Sequence, residues 1–272
     1  MTTADLERGQ KPLEPVPGTD VEVVRWTNPA GGGKCTVVWL ATDRLDTRLA
    51  STEVTSVERQ RAAGYTRQGD RLLSLGAAWL TRRLVAGSLG VAPLDAPIVR
   101  HCPHCARPHG RPVVEGTTTD GATVQASATH SRGLVGVAVS TSAAVGLDVE
   151  NLQARGPAAW QAVWRVLGRR PPAPQGPESL PEAARTAATA WARTEAVLKA
   201  TGRGLAVSSR CVDITTGDEP RIIHWPWGDP TDQVSLFDLS PGRMCVAVLA
   251  VIQHEPTSPS GVPRPIKSKD SR

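Results

Sequence analysis

Apolar positions recur along this chain with two periods, and stretches with no apolar period separate them. Thr36-Val37-Val38-Trp39-Leu40 is β-branched and apolar, which predicts a strand. Leu73, Ala77, Leu80 and Leu84 recur at helical spacing and stop before Gly90, predicting a long helix. From Leu134 to Ser140, Val135, Val137 and Val139 alternate with Gly136 and Ala138. After the turn-like Thr141-Ser142, Val145-Gly146-Leu147-Asp148-Val149-Glu150 alternates again, so two strands are predicted, paired with each other. Pro181 and Glu182 open a second long helix that runs to Gly202, with a proline and an acid where a first helical turn prefers them. Ile214, Ile222-Ile223, Val234 to Phe237 and Met244 to Ile252 are further strand segments.

The architecture these elements predict is α+β, with two similar halves, each a long helix packed on a small sheet. Residues 242–248 loosely echo 132–138, as an internal duplication would. The halves are expected at 34–143 and 144–253, meeting near residues 140–150. Residues 1–33 and 254–272 are rich in proline, glycine and serine without apolar periodicity, and are expected to be disordered.

Composition narrows the class. With 272 residues, 40% hydrophobic and 21% charged, the chain can bury a sizeable core and is neither collagen-like nor a coiled coil. No run reaches the roughly 20 apolar residues of a membrane helix, and Met1-Thr2-Thr3-Ala4-Asp5 lacks the order of a signal peptide. A cytoplasmic protein without membrane contact is expected. The five cysteines are odd in number and scattered, which fits reduced thiols. The net charge of +5 is mild, but arginine has replaced lysine everywhere between Cys35 and Ile266 except at Lys199. That exception suggests a position that requires an ammonium.

Candidate chemistry centres on the same region. Asp148 and Glu150 stand two apart on a strand, so they share a face, and paired hard oxygens suit Mg²⁺; the plainer alternative is an exposed strand face. Trp191, Glu195 and Lys199 fall at i, i+4 and i+8 of the second helix. The pair is either a surface ion pair worth about 0.3–0.5 kcal/mol or a third carboxylate and a phosphate-binding cation. Upstream, His109-Gly110-Arg111-Pro112 and Thr129-His130-Ser131 offer phosphate donors. Cys102-Pro-His-Cys105 forms one zinc-knuckle half without a partner pair and is expected to be metal-free. Gly31-Gly32-Gly33-Lys34 fails as a P-loop because Cys35 stands where a hydroxyl is needed.

In order, Val145-Gly146-Leu147-Asp148-Val149-Glu150 and, about forty residues on, Trp191-Ala192-Arg193-Thr194-Glu195-Ala196-Val197-Leu198-Lys199 resemble the signature of the 4′-phosphopantetheinyl transferase superfamily. Asp70-Arg71, His109-Gly110-Arg111-Pro112 and Thr129-His130-Ser131 occur in that family's order, so the resemblance spans roughly Val37 to Val251. It implies the larger monomeric class with a pseudo-twofold fold. The implied activity is Mg²⁺-dependent transfer of phosphopantetheine from coenzyme A to a serine of an acyl or peptidyl carrier protein, releasing adenosine 3′,5′-bisphosphate. By position, Asp148, Glu150 and Glu195 hold the metal. Lys199 binds the transferred phosphate, and Glu195 takes the serine proton. Arg59, Arg71, Arg111, Thr129 and His130, with Lys199, bind the phosphates of coenzyme A.

Three departures accompany the resemblance: Thr194 replaces a usual lysine, Ala126 replaces an aromatic, and residues 171–177 are proline-rich. They point to altered choice of carrier. A competing class is a basic zinc-knuckle nucleic-acid-binding protein, which leaves the acids and Lys199 unexplained, and no nucleic-acid partner is expected. A third is a carrier-protein binder without catalysis.

Overall fold

The computed structural model describes residues 16–253 apart from 29–30, 101–109, 173–179, 205–206, 216, 218–219, 225 and 227–233. Its elements run β1 (Thr19–Asn28), β2 (Gly31–Ala41), α1 (Thr47–Glu53), α2 (Ser56–Ala63), α3 (Gln68–Leu89), β3 (Ile98–Arg100), β4 (Pro112–Val114), β5 (Gln125–Ser131) and β6 (Leu134–Ser140). They continue with β7 (Ala144–Asn151), α4 (Pro157–Leu167), α5 (Leu180–Ala200), β8 (Asp213–Ile214), β9 (Ile222–His224), β10 (Val234–Leu239) and β11 (Cys245–Ile252). The class is α+β. One antiparallel sheet has the order β1-β2-β6-β5 and another β10-β11-β7, with two small hairpins, β3-β4 and β8-β9.

Strand alternation sorts the apolar residues into layers. On β2, Val38 and Leu40 face α3, where Leu73, Ala77, Leu80 and Leu84 meet them together with Val135, Val137 and Val139 of β6. The opposite face of β2 carries Cys35, Val37 and Trp39, which pack on Val145, Leu147 and Val149 of β7 and on Ala247, Leu249 and Val251 of β11. The other face of β7 and β11 receives α5 through Ala192, Ala196, Val197 and Ala200. Helix, sheet, sheet and helix therefore stack in that order, with the edge strand β1 reaching beyond the cover of α3. The α3 helix ends as expected at Gly90, which adopts the left-handed conformation (φ 70°) that a residue with no Cβ takes most cheaply.

Two expectations are corrected. The segment 1–33 is not disordered throughout: Thr19–Asn28 pairs with Gly31–Leu40 over ten antiparallel positions. Val21 and Val23 alternate there with Asp20 and Glu22 but lie exposed, so the strand is held by its ladder more than by burial. The strands 134–140 and 145–150 are not partners. β6 pairs with β2 and β5, whereas β7 pairs with β11. The chain changes sheets at residues 141–143, because β7 meets β5 through side chains in place of a backbone ladder. Residues 1–15, the tail 254–272 and the Cys102-Cys105 knuckle lie outside the described residues.

Candidate active site

Alternation on β7 sends Val145, Leu147 and Val149 into the inter-sheet core and turns Gly146, Asp148 and Glu150 toward α5. Gly146 sets the separation. A Cβ there would overlap the Ala196 carbonyl oxygen and the Ala200 amide nitrogen, so α5 lies directly on the strand backbone at this point. Ala196 and Ala200 keep the helix face flat, and the residues beside them, Glu195 and Lys199, are carried over the next strand positions. The acids are consequently buried: Asp148 is 6%, Glu150 8% and Glu195 5% exposed. This removes both the exposed-strand reading and the surface ion-pair reading.

Lys199 pairs across to the strand and not along its own helix. Its Nζ donates to Asp148 Oδ1 at 2.6 Å, to the Leu147 carbonyl at 3.1 Å and to Thr129 Oγ1 at 3.3 Å. Three acceptors around one ammonium match its three protons. Thr129 Oγ1 in turn donates to Asp148 Oδ1 at 3.2 Å and accepts from the Val149 amide at 3.3 Å, so the hydroxyl is fully used. It belongs to a seam. Ser127 Oγ accepts from the Leu147 amide at 2.9 Å and Ser131 Oγ from the Asn151 amide at 3.0 Å, so alternate hydroxyls of β5 complete the backbone of β7.

The seam splits the Thr129-His130 pair. Thr129 is buried under the acids, while His130 lies on the other face of β5, where Asp70 of α3 acts on it electrostatically. Loss of hydration and then the Lys199 ammonium hold its pKa below the ordinary value. Arg111 reaches the end of α5: a Cβ on Gly202 would come within 2.8 Å of its Nη1, and its Nη2 donates to Gln125 Oε1 at 3.0 Å. Desolvation lowers the pKa of this guanidinium too.

The two remaining arginines are committed to the backbone. Arg59 donates to the carbonyls of Ser51 and Val54 at the end of α1, and Arg71 to the Tyr65 carbonyl. Thr194 is fully buried and donates to the Ala190 carbonyl at 3.0 Å, so this side chain is spent on its own helix.

The acids carry more negative charge than their neighbours cancel. Burial, and then Asp148, push the Glu150 carboxyl up to about 7, and the same two causes raise Glu195. Asp148 Oδ2 and Glu195 Oε1 are buried with no hydrogen-bond partner among the described residues. Buried polar atoms are seldom left unmatched, and two carboxylate oxygens orphaned at one place fit a cation as the missing partner. The acids do not form a ready-made cage, since among the described residues no three His, Cys, Asp or Glu side chains are grouped closely enough to hold a metal ion. Asp148 is instead neutralised by Lys199, and Glu150 by Arg155 at 3.5 Å.

Arg155 and the hydroxyl seam carried no recognisable signal in the sequence, because a loop arginine and alternate serines are commonplace. Compared with known proteins, the chain matches no family model and no curated protein. Among the described residues no helix is long and apolar enough to cross a membrane.

Proposed function

We propose that this chain is a 4′-phosphopantetheinyl transferase of the larger class with two similar halves, taking coenzyme A and an apo acyl or peptidyl carrier protein as substrates. The observation that carries the reading is the crossing of α5 over β7 at Gly146, which gathers Asp148, Glu150, Glu195 and Lys199 from two signature segments. Arg111 and His130 stand at its margin as phosphate donors.

The donor chemistry suits Mg²⁺: Asp148, Glu150 and Glu195, with buried oxygens of Asp148 and Glu195 left without a partner, would hold it as hard oxygen ligands once their side chains draw together, and when bound it supplies charge neutralisation on a diphosphate. The chain's own side chains do the rest. Lys199 is a point charge suited to a phosphate oxygen, and it would be free for that contact if Asp148, its present partner, held a cation. The carrier serine Oγ attacks the phosphorus next to pantetheine. A new P–O bond forms there as the P–O bond to the departing adenosine 3′,5′-bisphosphate breaks. The serine proton passes to Glu195, directly or through a water. Thr129 serves beneath the site as a positioning residue, and the committed guanidinia of Arg59 and Arg71 would have to release backbone carbonyls to reach a ligand.

The deciding experiment incubates the full chain with coenzyme A, Mg²⁺ and a panel of apo carrier proteins, with intact-mass readout. The expected result is addition of one phosphopantetheinyl group to at least one carrier, lost in Asp148→Asn or Glu195→Gln. No transfer across a broad panel, or transfer undiminished in both variants, overturns the assignment.

A further inference from the structure

Arg155 follows the short turn Leu152–Ala154 that leaves β7, and its guanidinium sits between two tryptophans on different helices. It lies 5.2 Å from the ring centre of Trp160 on α4 and 5.8 Å from that of Trp191 on α5. From there Nη2 reaches Glu150 Oε1 at 3.5 Å. The two rings hold the guanidinium whether or not Glu150 is its partner, because stacking and cation–π attraction need no carboxylate. The contact with Glu150 is also the looser of the cluster's two ion pairs, against 2.6 Å for Lys199 and Asp148.

We propose that Arg155 is the resident counter-ion of Glu150, a competitor that a divalent cation must displace before the acid cluster can hold it. This rests on the reading of Asp148, Glu150 and Glu195 as cation ligands. Three acids set against Lys199 and Arg155 leave a small net negative charge, so a divalent ion arriving alone meets weak attraction. Once Glu150 turns away, Arg155 stays on its aromatic seat, still cationic and close enough to oppose the ion. The site is thereby biased toward a cation that arrives with its own anion, such as a diphosphate, which Lys199 can accept.

The test measures binding of Mn²⁺ alone to the full chain, by the electron paramagnetic resonance signal of the free ion, with neither coenzyme A nor carrier present. Arg155→Gln should bind Mn²⁺ about fivefold more tightly than the parent, as loss of one nearby positive charge implies. Arg155→Met, which keeps apolar length against both rings, should do the same. Arg155→Lys, which keeps the charge, should stay within about twofold of the parent. Asp148→Asn should abolish the binding in every background. Binding in either neutral variant that is no tighter than in the parent, while still lost with Asp148→Asn, overturns the role of Arg155 alone. Mn²⁺ binding indifferent to Asp148→Asn overturns the acid-cluster reading beneath it.

Discussion

Lys199 is the residue on which most of the site's charge converges, and its surroundings explain why arginine has not replaced it. Its three acceptors, Thr129 Oγ1, the Leu147 carbonyl and Asp148 Oδ1, surround one nitrogen. A planar guanidinium with its donors spread over a fork cannot meet all three from the same Cα. Lys199→Arg should therefore lower kcat/KM for carrier modification about tenfold or more, roughly 1.4 kcal/mol of transition-state stabilisation per decade. A parent-like rate would mean that any cation suffices there. Glu150 makes a second prediction at this scale. Its pKa is near 7 in the folded chain against an ordinary value of 4.5, so between those pH values the folded state holds a proton that the unfolded state has lost. Stability from this group therefore falls as pH rises through that window, the reverse of an acid whose pKa is lowered by folding, because burial and Asp148 outweigh the Arg155 ion pair. Urea midpoints of the metal-free protein should decline less steeply with pH in Glu150→Gln than in the parent, and an unchanged slope would assign the titration to another group.

Among the elements, β7 and α5 decide the site, and their contact turns on one position. Gly146 has no room for a Cβ because helix backbone, which cannot rotate away, lies against it. Gly146→Ala must push α5 off the strand, at a cost of about 3 kcal/mol or more in urea unfolding, and transfer should be lost even in the fraction that stays folded. A variant of parental stability would show that α5 sits further out. The strand and helix themselves were legible from alternation and from the 3.6-residue period, as were α3, β6 and β11. The amphipathic α4, which buries Trp160, Val163, Trp164 and Leu167 on one face, was not among the predicted elements, because the neighbouring prolines masked its period. What alternation could not reveal is which strands pair. β6 and β7 follow one another with a short connection, the usual sign of a hairpin, yet the β7 amides are taken by β11 on one side and by Ser127, Thr129 and Ser131 on the other. Ser127, Thr129 and Ser131 do alternate, but alternating hydroxyls do not tell which strand they serve. For the same reason Asp148 and Glu150 were recognisable as sharing a face, while their burial depended on a helix fixed by a glycine fifty residues away from Ala196.

At the scale of the whole molecule, the two sheets are joined by one core and one seam. Trp39 reaches from β2 across Gly136, where a Cβ would overlap its ring, and packs with Leu147 and Leu249 of the second sheet. Neither sheet can therefore keep its inner face covered if the other unfolds. An architecture with two long helices, each on its own sheet, could in principle melt in two steps, but exposing the shared face of Val37, Trp39, Val145, Leu147, Val149, Leu249 and Val251 would cost roughly 1.5–3 kcal/mol for each large side chain. A single cooperative transition is expected, with far-UV circular dichroism and tryptophan emission giving coincident urea curves. The seam should report on the same coupling. Ser127→Ala leaves the buried Leu147 amide without its acceptor and should lower stability by about 1–3 kcal/mol while keeping the curves superimposed. Trp39→Ala removes the largest side chain in the shared core and should cost about 3–5 kcal/mol. If the two probes separate in the parent protein, the sheets are independent units and the site between β5, β7 and α5 is held by α5 alone. If they separate only in Trp39→Ala, the inter-sheet core is what makes the fold, and with it the acid cluster, a single cooperative unit.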